Sequence, residues 1–168
     1  MDVQFTPWRK HYMQGERAPG CFFCTAAQAP ENRLRELLVL HRTPDYLVVL
    51  NRYPYNTGHL LLAPAVHAAR PSDTSPELAA TLGRVQRALT EILFESYQPQ
   101  GLNAGINLGQ AAGAGVADHY HWHLLPRWSG DSNFMGAVAQ TRLISESLEE
   151  TLDRLGPLIA VHPEFVAG

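Results

Sequence analysis

Three histidines separated by single apolar residues, His119, His121 and His123 with Tyr120 and Trp122 between them, give the chain its strongest local constraint. Alternate side chains of a β-strand share a face, so this pattern reads as a strand over residues 119–125. Its three imidazoles point one way, while Tyr120, Trp122 and Leu124 point the other and can be buried. A single strand histidine is usually a tolerated polar residue. Three in alternation, in a chain with eight histidines in all, call for a chemical reason.

Two chemistries suit three aligned imidazoles. One is a catalytic metal site, because neutral imidazole is a good zinc ligand. The other is nucleophilic catalysis, in which one ring nitrogen attacks while a hydrogen bond at the other fixes the tautomer. The segment just upstream, residues 109–117, is rich in Gly and Ala. Such a loop lets backbone N–H groups approach an anion closely, which favours a phosphate-bearing ligand beside the histidines.

The remaining pattern describes what carries that strand. Residues 37–41 and 46–50 read as two strands joined by a turn at 42–45, and residues 59–63 as a third, stopped by Pro64. Ser75 followed by Pro76 opens a helix whose apolar face runs through Leu78, Leu82, Val85, Leu89, Ile92 and Leu93. Residues 102–108 and 119–125 supply two more strands, and residues 143–155 a second helix. Three strands, a helix, two strands and a helix imply an α+β domain built on an antiparallel sheet of about five strands. The whole chain, 1–168, is expected to be one domain. Within it, 1–30 forms a polar, Pro- and Gly-containing arm that needs an anchor, 31–135 the core, and 136–168 the C-terminal helix and tail.

Composition narrows the function classes. The net charge is -3 and no Lys/Arg block occurs, so a groove for long nucleic acid is not expected, although a small phosphorylated ligand needs few donors. No apolar run approaches the roughly 20 residues of a membrane span, and the N-terminus lacks a secretion signal, so a cytoplasmic protein is expected. The two cysteines, Cys21 and Cys24, stand at Cys-x-x-Cys spacing. In a reducing compartment that spacing favours a metal or a redox couple over a structural disulfide.

The segment His119-Tyr-His-Trp-His-Leu-Leu125 resembles the motif of the histidine triad (HIT) family, His-φ-His-φ-His-φ-φ with φ apolar. The likeness extends to the stretch from Asn51 to Pro64, to Gly105–Gly109 and to Leu125–Asp131, the last similar to the branch that cleaves dinucleoside polyphosphates. The resemblance implies that His121 is the nucleophile forming a nucleotidyl-histidine intermediate. It also implies that His59 and His123 line the phosphate site. Asn51 falls where the family places a ribose contact and Asn107 where it places a phosphate-side contact, while Gly109, Gln110 and Gly115 belong to the phosphate loop. Many members carry Gln and Ser just before the triad, where this chain has Gly115 and Val116, so backbone donors or Gln110 would have to substitute.

The same resemblance implies a structural zinc held by Cys21, Cys24, His67 and His119, which would pin the N-terminal arm and relieve His119 of a catalytic duty. No organic cofactor is expected. The resemblance further implies a homodimer with a sheet continuous across the interface, and a nucleotide or dinucleoside polyphosphate as substrate, with water or phosphate as acceptor. A nucleotide-sensing protein with little turnover and a nucleoside phosphoramidate hydrolase are the competing readings. Purine pockets are built from apolar residues of the kind found at Phe22, Phe23 and Leu50. The segment 130–135 reads equally as a contact for a second nucleotide or as a plain loop.

Overall fold

A computed structural model describes residues 20–131 and 144–166. Five strands form one antiparallel sheet: β1 (Val39–Arg42), β2 (Tyr46–Leu50), β3 (Leu60–Pro64), β4 (Gly101–Ile106) and β5 (Trp122–Arg127), in the order β1-β2-β3-β5-β4. Helix α1 (Phe22–Gln28) precedes the sheet, α2 (Pro76–Tyr97) connects β3 to β4, and α3 (Leu148–Val161) with the short α4 (Pro163–Val166) follows it. The α+β antiparallel architecture read from the sequence is the one observed.

Period-two alternation decides which residues face which layer. From β2 and β3, Tyr46, Val48, Leu50, Leu60 and Leu62 point to the side covered by α2 and α3, where they meet Leu82, Val85, Leu89, Ile92, Leu93 and Leu155. Tyr120 and Leu124 join that core. The opposite side presents Val39, Leu47, Val49, Leu61 and Ala63, and Phe23 and Ala26 of α1 pack there. The sheet is therefore buried on both faces at its centre, with the helices unequal in size.

Helix boundaries follow local chemistry. Ser75 Oγ accepts from the Leu78 N–H at 3.2 Å and caps α2, with Pro76 in the first turn where it has no N–H to lose. The second long helix was expected over 143–155 but runs over Leu148–Val161. Ser147 and Glu150 form a reciprocal capping box that sets its start, and residue 143 lies outside the described residues. The helix also continues through Pro157, beyond the last periodic leucine. The N-terminal arm, read as a segment up to residue 30 that needs an anchor, contains α1. Arg42 on β1 anchors its end by donating to Ala26 O (3.4 Å), Ala27 O (3.2 Å) and Ala29 O.

Two strands are also displaced from expectation. Regular pairing of β4 ends at Ile106 rather than 108, and β5 begins at Trp122 rather than 119. Beyond Leu62↔Trp122 the β3 strand runs into Pro64, whose nitrogen cannot donate to a ladder. Residues 119–121 therefore bond irregularly: Tyr120 N donates to Ala68 O at 2.8 Å. Among the described residues, no helix is long and apolar enough to cross a membrane.

Candidate active site

The imidazoles keep a common face even where the ladder fails. His123 lies in β5, across from Leu61 and Gly105. His121 is 4% exposed and its ring centroid is 4.9 Å from that of His123. His119 is fully buried, and Phe23 packs on it from the α1 side. Tyr120 points away into the helix-side core, its hydroxyl 3.1 Å from that of Thr74. The apolar backing expected of the triad is present.

Hydrogen bonds assign each ring its tautomer, because a carbonyl can only accept and a backbone N–H can only donate. His121 Nδ1 lies 3.0 Å from His119 O, so Nδ1 carries the proton and Nε2 the lone pair. His119 Nε2 lies 2.9 Å from Pro64 O, so the proton sits on Nε2 and Nδ1 carries the lone pair. His59, 2% exposed just ahead of β3, accepts at Nδ1 from Tyr55 N (3.1 Å) and faces the Asn51 amide nitrogen at 3.3 Å. Its proton is thus on Nε2, which donates to His123 Nδ1 at 2.9 Å and leaves the His123 proton on Nε2. Neighbouring rings along the strand carry their protons on alternating nitrogens.

Burial favours the neutral form of His119, His121 and His123. It pushes His121 below the ordinary imidazole value, partly opposed by the bond to His119 O. Burial and the adjacent His121 take His123 down to about 4. The neutral form is the one able to act as a nucleophile or metal ligand.

The other residues expected at the site differ in their local engagement. Asn51 Oδ1 accepts from Tyr53 N at 2.9 Å, which shapes the turn, while its amide nitrogen faces His59. Regular β4–β5 pairing ends at Ile106↔Trp122, so Asn107 and His121 each lie one residue beyond it. Gly109 and Gly113 take positive φ (78° and 82°) around a single 3-10 turn, Gln110–Ala112, and Gly109, Gln110 and Gly115 are exposed. Asp131, in the segment left open as a loop or second-nucleotide contact, is tied up internally. It accepts from Arg127 Nε (2.6 Å) and Nη2 (2.8 Å), Trp128 N and Asn56 Nδ2. Arg127 accordingly holds its carboxyl well below the usual range. Residues 132–135 of that segment lie outside the described residues.

Cys21, Cys24, His67 and His119 meet at a second centre. Their four donor atoms all lie within 4.8 Å of one another, with Cys21 Sγ–His119 Nδ1 and Cys24 Sγ–His67 Nδ1 each 3.2 Å. These separations fit the edges of a tetrahedron with metal–sulfur and metal–nitrogen bonds of about 2.3 and 2.0 Å. The His119 Nε2–H bond to Pro64 O is the outer contact that orients a ligating imidazole. Burial and the neighbouring Cys21 push the Cys24 thiol up, so the two thiols need a cation if both are to ionise. Because both nitrogens of His119 are engaged here and at Pro64, the three triad rings do not converge on one point. A three-histidine catalytic metal is therefore disfavoured by geometry.

Several contributors were not singled out in the sequence as parts of the centre. The Tyr55 ring lies nearly parallel to His123 (17°, 6.0 Å) and is 45% exposed. Gly58 has φ 73°, and a Cβ there would come within 2.8 Å of the Tyr97 ring. That ring is fixed by its hydroxyl, which donates to Glu146 at 2.6 Å; Arg154 and Thr151 also donate to Glu146. Only the Asn51–His59 motif hinted at this backing, since Tyr97 and Glu146 are distant in sequence. Phe23 and Leu50, apolar enough for a purine pocket, are instead buried at 1% and 2% exposure, and Phe22 is the partly exposed one.

The antiparallel five-stranded sheet thus shows three tautomer-fixed imidazoles on one face, beside a fourth, His59, just ahead of β3. The chain belongs to the HIT family: the family model described as the HIT domain matches residues 35–130. It is 35% identical over 154 residues to the "AP-4-A phosphorylase" of Mycobacterium tuberculosis, covering 88% of this chain and 78% of that one. A Zn-bound histidine triad family protein from Mycobacterium smegmatis shares the fold, with a TM-score of 0.63 and 29% identity over 82% of this chain and 91% of that one. A HIT-family structure from Bacillus subtilis aligns with a TM-score of 0.57 and 25% identity over 84% and 95% of the two chains.

Proposed function

We propose that the chain is a nucleotidyl-transfer enzyme that cleaves dinucleoside polyphosphates of the diadenosine tetraphosphate class at an α-phosphate through a covalent nucleotidyl-His121 intermediate. The observation that carries this reading is the His121 Nδ1–H bond to His119 O, which leaves Nε2 as a buried, neutral lone pair. The likeness to a mycobacterial AP-4-A phosphorylase supports the substrate class.

In this reading His121 Nε2 attacks the α-phosphorus, and the bond to the bridging oxygen breaks with its electron pair leaving on the departing nucleotide. His123 Nε2–H donates to the charge that develops, backed by the His59 Nε2–H bond to His123 Nδ1. The acceptor, water or phosphate, then displaces His121 and releases AMP or ADP. Splitting one displacement into two lowers each barrier. Asn107 and the loop residues Gly109, Gln110 and Gly115 serve the phosphates. Asn51 acts chiefly by holding His59, with its second amide hydrogen left for a ribose hydroxyl.

Zinc is the cation that two thiols and two imidazoles select, and Cys21, Cys24, His67 and His119 would hold it as a closed, structural centre. Free thiols reserved for a metal suit a reducing compartment such as the cytoplasm. The outer edge of β4, where Asn103 and Ala104 are exposed, is the place for a second copy to extend the sheet into a dimer.

The test is intact-mass analysis of acid-quenched protein after mixing with diadenosine tetraphosphate. An AMP-sized, acid-labile adduct is expected on the native chain and absent from His121→Asn. Turnover by His121→Asn equal to the native chain, with no adduct on either, would sink the mechanism. ADP formed only when phosphate is present marks a phosphorylase; AMP formed without it marks a hydrolase.

A further inference from the structure

Among the described residues, Phe23 is the aromatic ring that touches both the metal-donor set and His121. It is 1% exposed, and its centroid lies 5.0 Å from the ring of His119 and 4.8 Å from that of His121, at interplanar angles of 45° and 38°. Those are contact distances for stabilising aromatic pairs. The bond from His121 Nδ1 to His119 O fixes one corner of the nucleophile ring, and the Phe23 and His123 rings, at 4.8 and 4.9 Å, are the aromatic contacts placed to set its plane, Phe23 the nearer to parallel at 38° against 58°. In-line attack depends on the direction of Nε2, so a second contact must fix the plane.

Phe23 itself stands in a weakly held turn. Helix α1 has only seven residues, and its N-cap, Cys21, makes no capping hydrogen bond. Its far end is secured by Arg42, whereas its first turn is held by the packing of Phe23 and Ala26 and by Cys21 and Cys24. Two of the four donors therefore flank Phe23, and the other two, His67 and His119, come from the sheet side. A cation bound there would staple the first turn of α1 against the strand that carries the nucleophile.

We infer that Phe23 is a positioning residue: it sets the plane of the His121 ring, and it is the route by which occupancy of the Cys21–Cys24–His67–His119 centre reaches the nucleophile. The inference rests on the assignment of His121 as that nucleophile. Phe23 meets no substrate; it acts through His121.

The test is a double-mutant cycle on the full, zinc-loaded chain with Phe23→Ala and Cys24→Ser. It reads kcat and KM for diadenosine tetraphosphate, zinc content, and the side-chain nitrogen spectrum of histidine-labelled protein at one fixed pH. Phe23→Ala should keep its zinc and a KM within about twofold, lose about 10-fold or more in kcat, and replace the single Nδ1–H signature of His121 with an averaged one. Cys24→Ser should lose zinc and show the same spectral change. The double variant should fall no more than about twofold below the worse single, because both changes cut one path. Losses that multiply in the double variant, or a Phe23→Ala protein with native kcat and a native His121 signature, would overturn the inference. If Phe23→Ala fails to hold zinc, Phe23→Leu, which keeps bulk without a flat face, is the variant read by the same criteria. A changed His121 spectrum with undiminished adduct formation in His121→Asn would instead condemn the nucleophile assignment.

Discussion

At the scale of single residues, the proton on each imidazole is dictated by a neighbour that has no choice of its own. Tyr55 N must donate and the carbonyls of Pro64 and His119 must accept, so the rings inherit fixed tautomers. Burial takes His123 down to about 4 and holds His121 below the ordinary imidazole value of 6.5. Activity limited by these rings should therefore hold up as the pH falls through 6.5, where an ordinary imidazole nucleophile would be losing its lone pair. A pH–rate profile that halves near 6.5 would contradict this. His123→Gln should lower kcat on the order of 100-fold while sparing the adduct-forming atom, checked by single-turnover kinetics. Gly58→Ala should destabilise the chain by about 2–4 kcal/mol in a denaturant titration, because a left-handed φ and the Tyr97 ring both oppose the methyl.

At the scale of elements, what could be read from the sequence was whatever is periodic or capped. The apolar stripe of α2, its Ser75 cap and the alternation through 119–125 all carry their own signal. Helix α1 carried none: it is short, its N-cap side chain makes no capping bond, and its end is closed by Arg42 from another element. The same holds for the backing of Gly58, where Tyr97 at the end of α2 meets Glu146 ahead of α3 through tertiary contact alone. The triad and the cysteine pair could be recognised because they are local spacings. The Phe23 contact could not, since Cys21-Phe-Phe-Cys24 does not say which ring turns inward. The Ser147–Glu150 capping box, overlooked beside the leucine periodicity, has a measurable worth. Ser147→Ala should cost about 1 kcal/mol in thermal or chemical unfolding, with kcat unchanged.

At the scale of the whole molecule, buried neutral histidines make folding sensitive to acid. In the unfolded chain an imidazole titrates near 6.5, whereas in the folded chain His123 does so at about 4. Between those values the unfolded chain binds more protons, so stability is complete above 6.5 and declines as pH falls toward 4. The melting temperature should drop over that interval, and drop less steeply in His123→Gln. A parallel decline in both proteins would place the acid sensitivity elsewhere. Chelation should act through a different region, loosening α1 first and exposing Phe23, which limited proteolysis near residues 20–28 would report before global unfolding.

The alternation that faces His119, His121 and His123 one way has a consequence for how such a chain can change over generations. Its side chains are read in a frame of two, so an apolar neighbour such as Trp122 can be exchanged for another with modest effect. Gaining or losing one residue between His119 and His123 would instead swing part of the set into the helix-side core and bring an aromatic ring to the reaction face. Substitution is gradual here, whereas insertion and deletion are all-or-none. The strand behaves as a short coded message with a fixed frame.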